Sequence, residues 1–142
     1  MDGLFWGPNW TESDHDAFRE RVDLATSQRR WVADADYLPR IGTLVWERAD
    51  TVVWLDVPTS LILRRLVRRT IKRSILRTKL WAGNRESLSN LFNKGSLRRW
   101  VETINAADRA TYEEMFADDR WSHIDRIRVE TVRELESWLR SV

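Results

Sequence analysis

Thr51-Val52-Val53-Trp54-Leu55-Asp56-Val57-Pro58 is the stretch on which the reading of the fold turns. Its first five residues are β-branched or apolar on both alternating faces. That suits a strand buried inside a parallel sheet rather than one with a wet face. Pro58 lacks the donor a strand needs and stops it. Thr59 or Ser60 then stands where a helix cap is expected. In the helix that follows, Leu61, Leu63, Leu66, Val67 and Ile71 mark an apolar side. Arg64, Arg65, Arg68, Arg69 and Arg73 fill much of the rest.

Toward the N-terminus, Trp31-Val32-Ala33 reads as a short strand, and Leu44, Val45 and Glu47-Arg48 as a brief helix. The 4–10 stretch is a loop broken by Gly7-Pro8. Thr11 or Ser13 is expected to cap the helix that carries Phe18, Val22 and Ala25. Thr11 to Asp14 and Ser13 to Asp16 both have capping-box spacing. Toward the C-terminus, residues 74–96 are interrupted by Gly83-Asn84 and Asn93-Lys94-Gly95. A helix over 97–115 follows, then a strand over 123–129 with Ile124, Ile127 and Val129 apolar. A last helix over 131–139 turns Val132, Leu135, Trp138 and Leu139 inward. Alternating strands and helices predict an α/β fold with a parallel sheet, in one domain spanning 1–142.

The 142-residue chain has no cysteine and only His15 and His123, which excludes disulfides and thiolate zinc and disfavours a histidine-rich metal site. No apolar run reaches the length of a membrane span. Met1-Asp2-Gly3 is not the basic start of a signal peptide, so the expected location is the cytoplasm, with no membrane partner. Charge is strongly segregated. Residues 61–99 hold 12 basic residues and one acid, a net +11, whereas the remainder holds 12 basic and 21 acidic residues, a net −9. Such a field attracts a phosphate-bearing small molecule or nucleotide, or a nucleic acid. The plainer alternative is a solvated helix face.

Several segments, in order, resemble small bacterial P-loop kinases of the adenylate-kinase-like group, some labelled DNA topology modulation proteins. Asp2-Gly-Leu-Phe-Trp-Gly-Pro-Asn-Trp10 looks like the segment after their second strand. Trp31-Val-Ala-Asp-Ala-Asp-Tyr37 is similar to their third strand and its turn, and Ala49-Asp-Thr-Val-Val-Trp-Leu-Asp-Val-Pro58 to their fourth. Arg65-x-x-Arg68-Arg69-x-x-x-Arg73, followed by Gly83-Asn-Arg-Glu86, resembles their arginine-bearing lid, here about 74–96. Trp138-Leu139 closes the last helix as in that group. The resemblance implies a three-layer P-loop NTPase-like parallel sheet with helices on both faces. It also implies ATP and Mg²⁺ as cofactors and phosphoryl transfer to a small molecule or nucleotide.

The sequence departs from that group at its start. No Gly-x-x-x-x-Gly-Lys-Ser/Thr is present. That loop would supply backbone N–H groups, a lysine and a magnesium-binding hydroxyl. The group's first strand, central in its sheet, is missing with it. Three consequences are open: Met1 is an internal residue of a longer protein, the remaining strands close up, or a second chain supplies the edge. The first is the expectation.

The resemblance places Asp34 at a strand end facing metal-bound phosphates, as a catalytic and Mg²⁺-binding carboxylate. The alternative is a turn residue, since Asp34-Ala35-Asp36 also reads as a turn. Asp56 is a second candidate Mg²⁺ ligand, because ligands gather at the carboxyl ends of parallel strands. The alternative there is a helix cap. Arg65, Arg69 and Arg73, four apart on one helical face, are the candidate catalytic arginines. Arginine offers permanently charged, bidentate donors to phosphate. Arg68, Arg85 and Arg128 complete a cofactor-binding set, with Arg85 poised beside Gly83-Asn84 to move as a lid closes. Asp2, Phe5, Trp6, Trp10 and Tyr37 form the candidate substrate-binding set, in which an aromatic ring could stack on a base. The alternative is packing, the commoner use of an aromatic, and the expected use of Trp31, Trp54, Trp100 and Trp138. His15 is a surface residue on this reading. Three functions follow: a nucleotide-dependent kinase or an incomplete or inactive form of one, a nucleic-acid-binding protein, and a non-catalytic module that binds a partner or a second copy through an exposed sheet edge.

Overall fold

The computed structural model describes residues 1–34, 37–87 and 97–141. They form two compact units. One comprises Met1–Ala49 and Arg77–Arg85, the other Asp50–Leu76 and Glu86–Val142.

The first unit is helical. Its elements are α1 (Asp2–Phe5), α2 (His15–Thr26), α3 (Leu38–Ile41) and 3₁₀ turns at Pro8–Trp10, Trp46–Arg48 and Trp81–Gly83. Phe18 and Val22, one turn apart on α2, are fully buried and pack with Phe5, Ile41 and Leu44. Phe18 meets the rings of Phe5 and Tyr37 edge-on, each 5.0 Å away. Burying a side chain of this kind stabilises by about 1.5–3 kcal/mol. Asp14 caps α2, its carboxylate accepting from the N–H groups of Asp16 and Ala17. At the other end, Arg48 donates to the Asp23 carbonyl at 2.7 Å and to the Asp23 carboxylate at 2.7 Å, placing a cation where the helix has open carbonyls. Asn84 is buried and bridges two turns. Its Oδ1 accepts from Trp10 N at 3.0 Å and its Nδ2 donates to the Gly7 carbonyl at 2.8 Å.

The second unit carries the sheet. β1 (Thr51–Leu55) leads into α4 (Thr59–Ile75); α5 (Leu97–Ala117) leads into β2 (Asp125–Val129), and α6 (Val132–Leu139) follows. β1 and β2 run parallel, with Thr51 opposite Asp125, Val53 opposite Ile127 and Leu55 opposite Val129. Because side chains alternate, Val52 and Trp54 share a face with Arg126 and Arg128. On that face Trp54 stacks on Tyr112 of α5 at 5.7 Å and meets Phe116 edge-on at 5.4 Å. Arg126 ties the end of α5 to the sheet through the Phe116 and Asp118 carbonyls. α4 packs against α5. α6 opens with a capping box, Thr131 accepting from Glu134 N and Glu134 accepting from the Thr131 N–H. Among the described residues, no helix is long and apolar enough to cross a membrane.

The parallel α/β arrangement expected around Thr51–Leu55 is present, and its sheet has two strands among the described residues. Other expectations need correction. Residues 31–33 are not a strand: Val32 is 97% exposed and, among the described residues, no segment pairs with them, so β propensity alone has nothing to pair with. Asp34 therefore does not end a strand. Asp14, not Thr11 or Ser13, caps α2, because the Ser13 hydroxyl instead donates to the Phe5 carbonyl at 2.6 Å. Pro58 holds the cap position of α4, which puts Thr59 and Ser60 inside the first turn. Thr70 is the buried residue of α4, whereas Ile71 is exposed, and so is Leu139 of α6. The 4–10 loop contains the end of α1 and a 3₁₀ turn, since Gly7-Pro8 breaks a helical path rather than an extended one. Of the lid expected at 74–96, residues 88–96 lie outside the described residues, as does the side chain of Trp100.

Candidate functional site

The expected site residues divide between the units. Asp2, Phe5, Trp6, Trp10, Asp34, Tyr37 and Arg85 belong to the first; Asp56, Arg65, Arg68, Arg69, Arg73 and Arg128 belong to the second.

In the first unit the substrate-binding set is brought together as packing. Phe5 is buried against Phe18 and Tyr37, which corrects its assignment to an accessible stacking position. Trp6 meets Trp10 edge-on at 5.6 Å. The Trp10 indole N–H donates to the Arg85 carbonyl at 3.3 Å. The Tyr37 hydroxyl donates to Asp2 at 2.7 Å. Burial, then the hydrogen bond and charge of Asp2, push the Tyr37 phenol above its ordinary range, so it is a fixed donor rather than a base. Asp34 is exposed, and its backbone carbonyl accepts from the Met1 ammonium at 3.3 Å. The Arg85 side chain is exposed.

In the second unit Asp56 stands just past β1, with its side chain 2% exposed. Arg109 of α5 donates to Oδ1 through Nε at 2.9 Å and Nη2 at 2.5 Å. Arg128 of β2 donates to Oδ2 through Nε at 2.9 Å and also through Nη2. The Arg128 guanidinium lies 4.5 Å over the Trp54 ring. Burial raises the Asp56 pKa, but the hydrogen bonds and charges of Arg109 and Arg128 outweigh it and hold the carboxyl below the ordinary carboxylate range. Both oxygens are thus occupied by fork-shaped cations. This does not fit a Mg²⁺ ligand, which needs an oxygen free for the metal. Asp56 is a clamp joining β1, β2 and α5, and Arg128 is part of it rather than an open cofactor-binding group. Arg109 was not found by sequence reasoning; a lone arginine on a mixed helix face gives no local signal that it reaches a carboxylate 53 positions away.

The α4 arginines meet different fates. Arg73 is bound by Glu86 at 2.8 Å, both side chains largely buried. Arg65 and Arg69, one turn apart, line a cleft of about 340 Å³. Val57, Ile62 and Leu66 form one apolar side of it and Val101 and Ile104 of α5 the other, with Asn105 and Asp108 also at the lining. Asn105 is oriented by donating to the Thr59 hydroxyl at 3.0 Å. Among the described residues, no acid pairs with Arg65 or Arg69, nor with the exposed Arg64 and Arg68 outside the cleft. A neighbouring depression of about 290 Å³ contains Glu102, Glu113 and Arg109. Its one arginine already serves Asp56 and its two glutamates repel anions. The first cleft therefore offers two guanidinium groups that no acid pairs with among the described residues, beside the Asp108 carboxylate and above an apolar floor. That arrangement can hold an anion carrying a nonpolar body. No family model, no curated protein and no solved structure matches the chain.

Proposed function

We propose that the second unit binds a phosphate-bearing small molecule or nucleotide in the α4–α5 cleft, with Arg65 and Arg69 holding the phosphate. The observation that carries this reading is two arginines, with no acidic partner among the described residues, lining a largely apolar cleft of about 340 Å³ that also holds Asp108. A phosphoryl group needs fixed positive charge more than covalent help, and arginine supplies it at every physiological pH. Unlike Arg73 and Arg128, these two have no carboxylate partner to leave among the described residues. The reading agrees with the resemblance to adenylate-kinase-like P-loop kinases, in which arginines of this helix meet phosphates. On that view β1 and β2 are two strands of a wider three-layer sheet. ATP and Mg²⁺ would be held by a phosphate loop, and these residues contain none. The function proposed for these residues is therefore phosphate recognition on the acceptor side of a kinase-like protein.

Calorimetric titration with AMP, ATP and pyrophosphate at low salt tests it. Each bidentate contact to phosphate contributes about 1.5–3 kcal/mol, so Arg65→Ala with Arg69→Ala should weaken binding by at least about tenfold. Arg64→Ala, outside the cleft, should leave the affinity within about twofold. Absence of binding by all three ligands, or equal loss in both variants, refutes the proposal.

Nucleic acid is the second reading. It is favoured by Arg64 and Arg68, which are exposed, lack acidic partners among the described residues and do not line the cleft. It predicts duplex or single-strand binding that falls steeply with salt and is lost with Arg64→Ala and Arg68→Ala. An affinity unchanged by salt rules it out.

A further inference from the structure

The free edge of β1 has a hydrogen-bonding phase and a side-chain pattern that fit a second copy of itself. The Asp125 N–H donates to the Asp50 carbonyl and the Asp56 N–H to the Val129 carbonyl, each at 2.8 Å. With Val53 opposite Ile127, these two bonds fix the phase of the whole ladder. The even residues Val52 and Trp54 turn their N–H and C=O groups to β2. Thr51, Val53 and Leu55 turn theirs the other way. Among the described residues, no backbone partner is present for these three on that side. The row is also chemically open. β1 has no charged side chain, and Leu55 at its end is 50% exposed. β2, by contrast, carries Asp125, Arg126 and Arg128. Charges of that sort discourage strand addition, and β1 has no such protection.

We propose that two copies of this chain associate through β1, antiparallel about a two-fold axis at Val53. A closed two-fold pair is the commonest symmetric assembly, and it requires a self-complementary surface. Val53 and its counterpart each present both N–H and C=O to the axis, as directly opposed hydrogen-bonded residues must. Thr51 then falls opposite Leu55 of the second copy, and each of these pairs exchanges two N–H···O bonds. The side chains of all three residues lie on one face, so Val53 meets Val53 and Thr51 meets Leu55, pairs favourable across strands. The same arrangement about Ile127 of β2 would set Arg126 against Arg128 of the second copy, like charges opposed. The inference is independent of the phosphate cleft, whose residues lie on α4, α5 and the turn after β1.

The chain has no cysteine, so single cysteines report cleanly on register. In oxidising buffer Val53→Cys should form a covalent dimer with its counterpart. Leu55→Cys should not, because four strand residues, about 13 Å, separate it from its own copy, beyond disulfide reach. Sedimentation of the unmodified chain should give twice the 16.9 kDa chain mass. Val53→Pro removes only an N–H that points away from β2, so it should sediment as the 16.9 kDa monomer while keeping a cooperative unfolding transition. Should that variant fail to fold, Leu55→Lys should shift the equilibrium toward monomer by at least about tenfold. The proposal is overturned by a monomeric unmodified chain, by equal crosslinking at positions 53 and 55, or by a folded Val53→Pro dimer. A monomer whose Val53 amide is protected from hydrogen exchange also overturns it, since another segment would then cover the edge.

Discussion

Replacing Asp56 with asparagine should loosen the second unit more than any other isosteric change in it. The amide keeps the shape of the carboxylate but has one acceptor oxygen in place of two. Whichever way it turns, its NH₂ group faces a guanidinium, and donor meets donor. Removing one partner of a buried ion pair costs about 3–5 kcal/mol. Here the arginines are less buried than the acid: the side chains of Arg109 and Arg128 are 47% and 39% exposed. Water can therefore solvate part of the released charge, and the expected loss falls to about 2–4 kcal/mol. Against a total of about 5–15 kcal/mol that is a large share.

The pH dependence follows from the direction of the shift. The folded Asp56 carboxyl lies below its ordinary 3.8, so the unfolded chain binds the proton more readily in acid. The stabilisation is fully present above the unfolded value and is lost as pH falls through the folded one. The gap between the two proteins should thus be complete at neutral pH and narrow below about pH 4. Urea unfolding gives the total, and hydrogen exchange at the Val52 and Trp54 amides, bonded to β2, reports on this unit alone. A loss under about 0.5 kcal/mol at neutral pH, within the range of ordinary surface changes, would refute the clamp. So would a gap that stays constant down to about pH 3.

Two further changes probe the first unit. Asn84→Ala leaves the Trp10 N–H and the Gly7 carbonyl without their partner in a buried site, and should lower stability by about 2–3 kcal/mol in thermal or urea unfolding; a loss indistinguishable from zero would mean water replaces the side chain at no cost. Phe18→Ala empties a fully buried ring site beside Phe5 and Tyr37 and should cost about 3–5 kcal/mol; a loss below about 1 kcal/mol would show that neighbouring side chains collapse into the space.

The parts of this fold that sequence discloses are those whose cause is local. Thr51–Leu55, the stop at Pro58 and the arginine-striped α4 follow from branching, a missing donor and periodicity. The ends of α5, β2 and α6 fall within about two residues of expectation for the same reason. Trp31-Val32-Ala33 has equally good strand chemistry and is not a strand, because a ladder partner is a property of the fold. The choice between Asp14 and Ser13 as cap was settled by a carbonyl eight positions upstream of Ser13 that takes its hydroxyl. The site divides along the same line. The four-residue spacing of Arg65, Arg69 and Arg73 is a local pattern, and the first two of them line the cleft. That Arg73 and Arg128 are bound to Glu86 and Asp56 depends on pairs 13 and 72 residues apart, which no local pattern encodes.

Arg73 and Glu86 stand at either end of an excursion. The chain leaves the second unit after Leu76, contributes Arg77–Arg85 to the first, and re-enters at Glu86. With the passage from Ala49 to Asp50, the two units are connected by three strands of main chain instead of one tether. The ion pair, helped by the Ser74 hydroxyl on the Glu86 carbonyl at 3.2 Å, fastens the neck of the excursion from within the second unit. A protease that cuts once, at any crossing, therefore leaves the halves attached, and the nicked protein should migrate whole until it is denatured. The chain alternates twice between the units, so gene-level splitting of the two calls for a spliced design, not a simple cut.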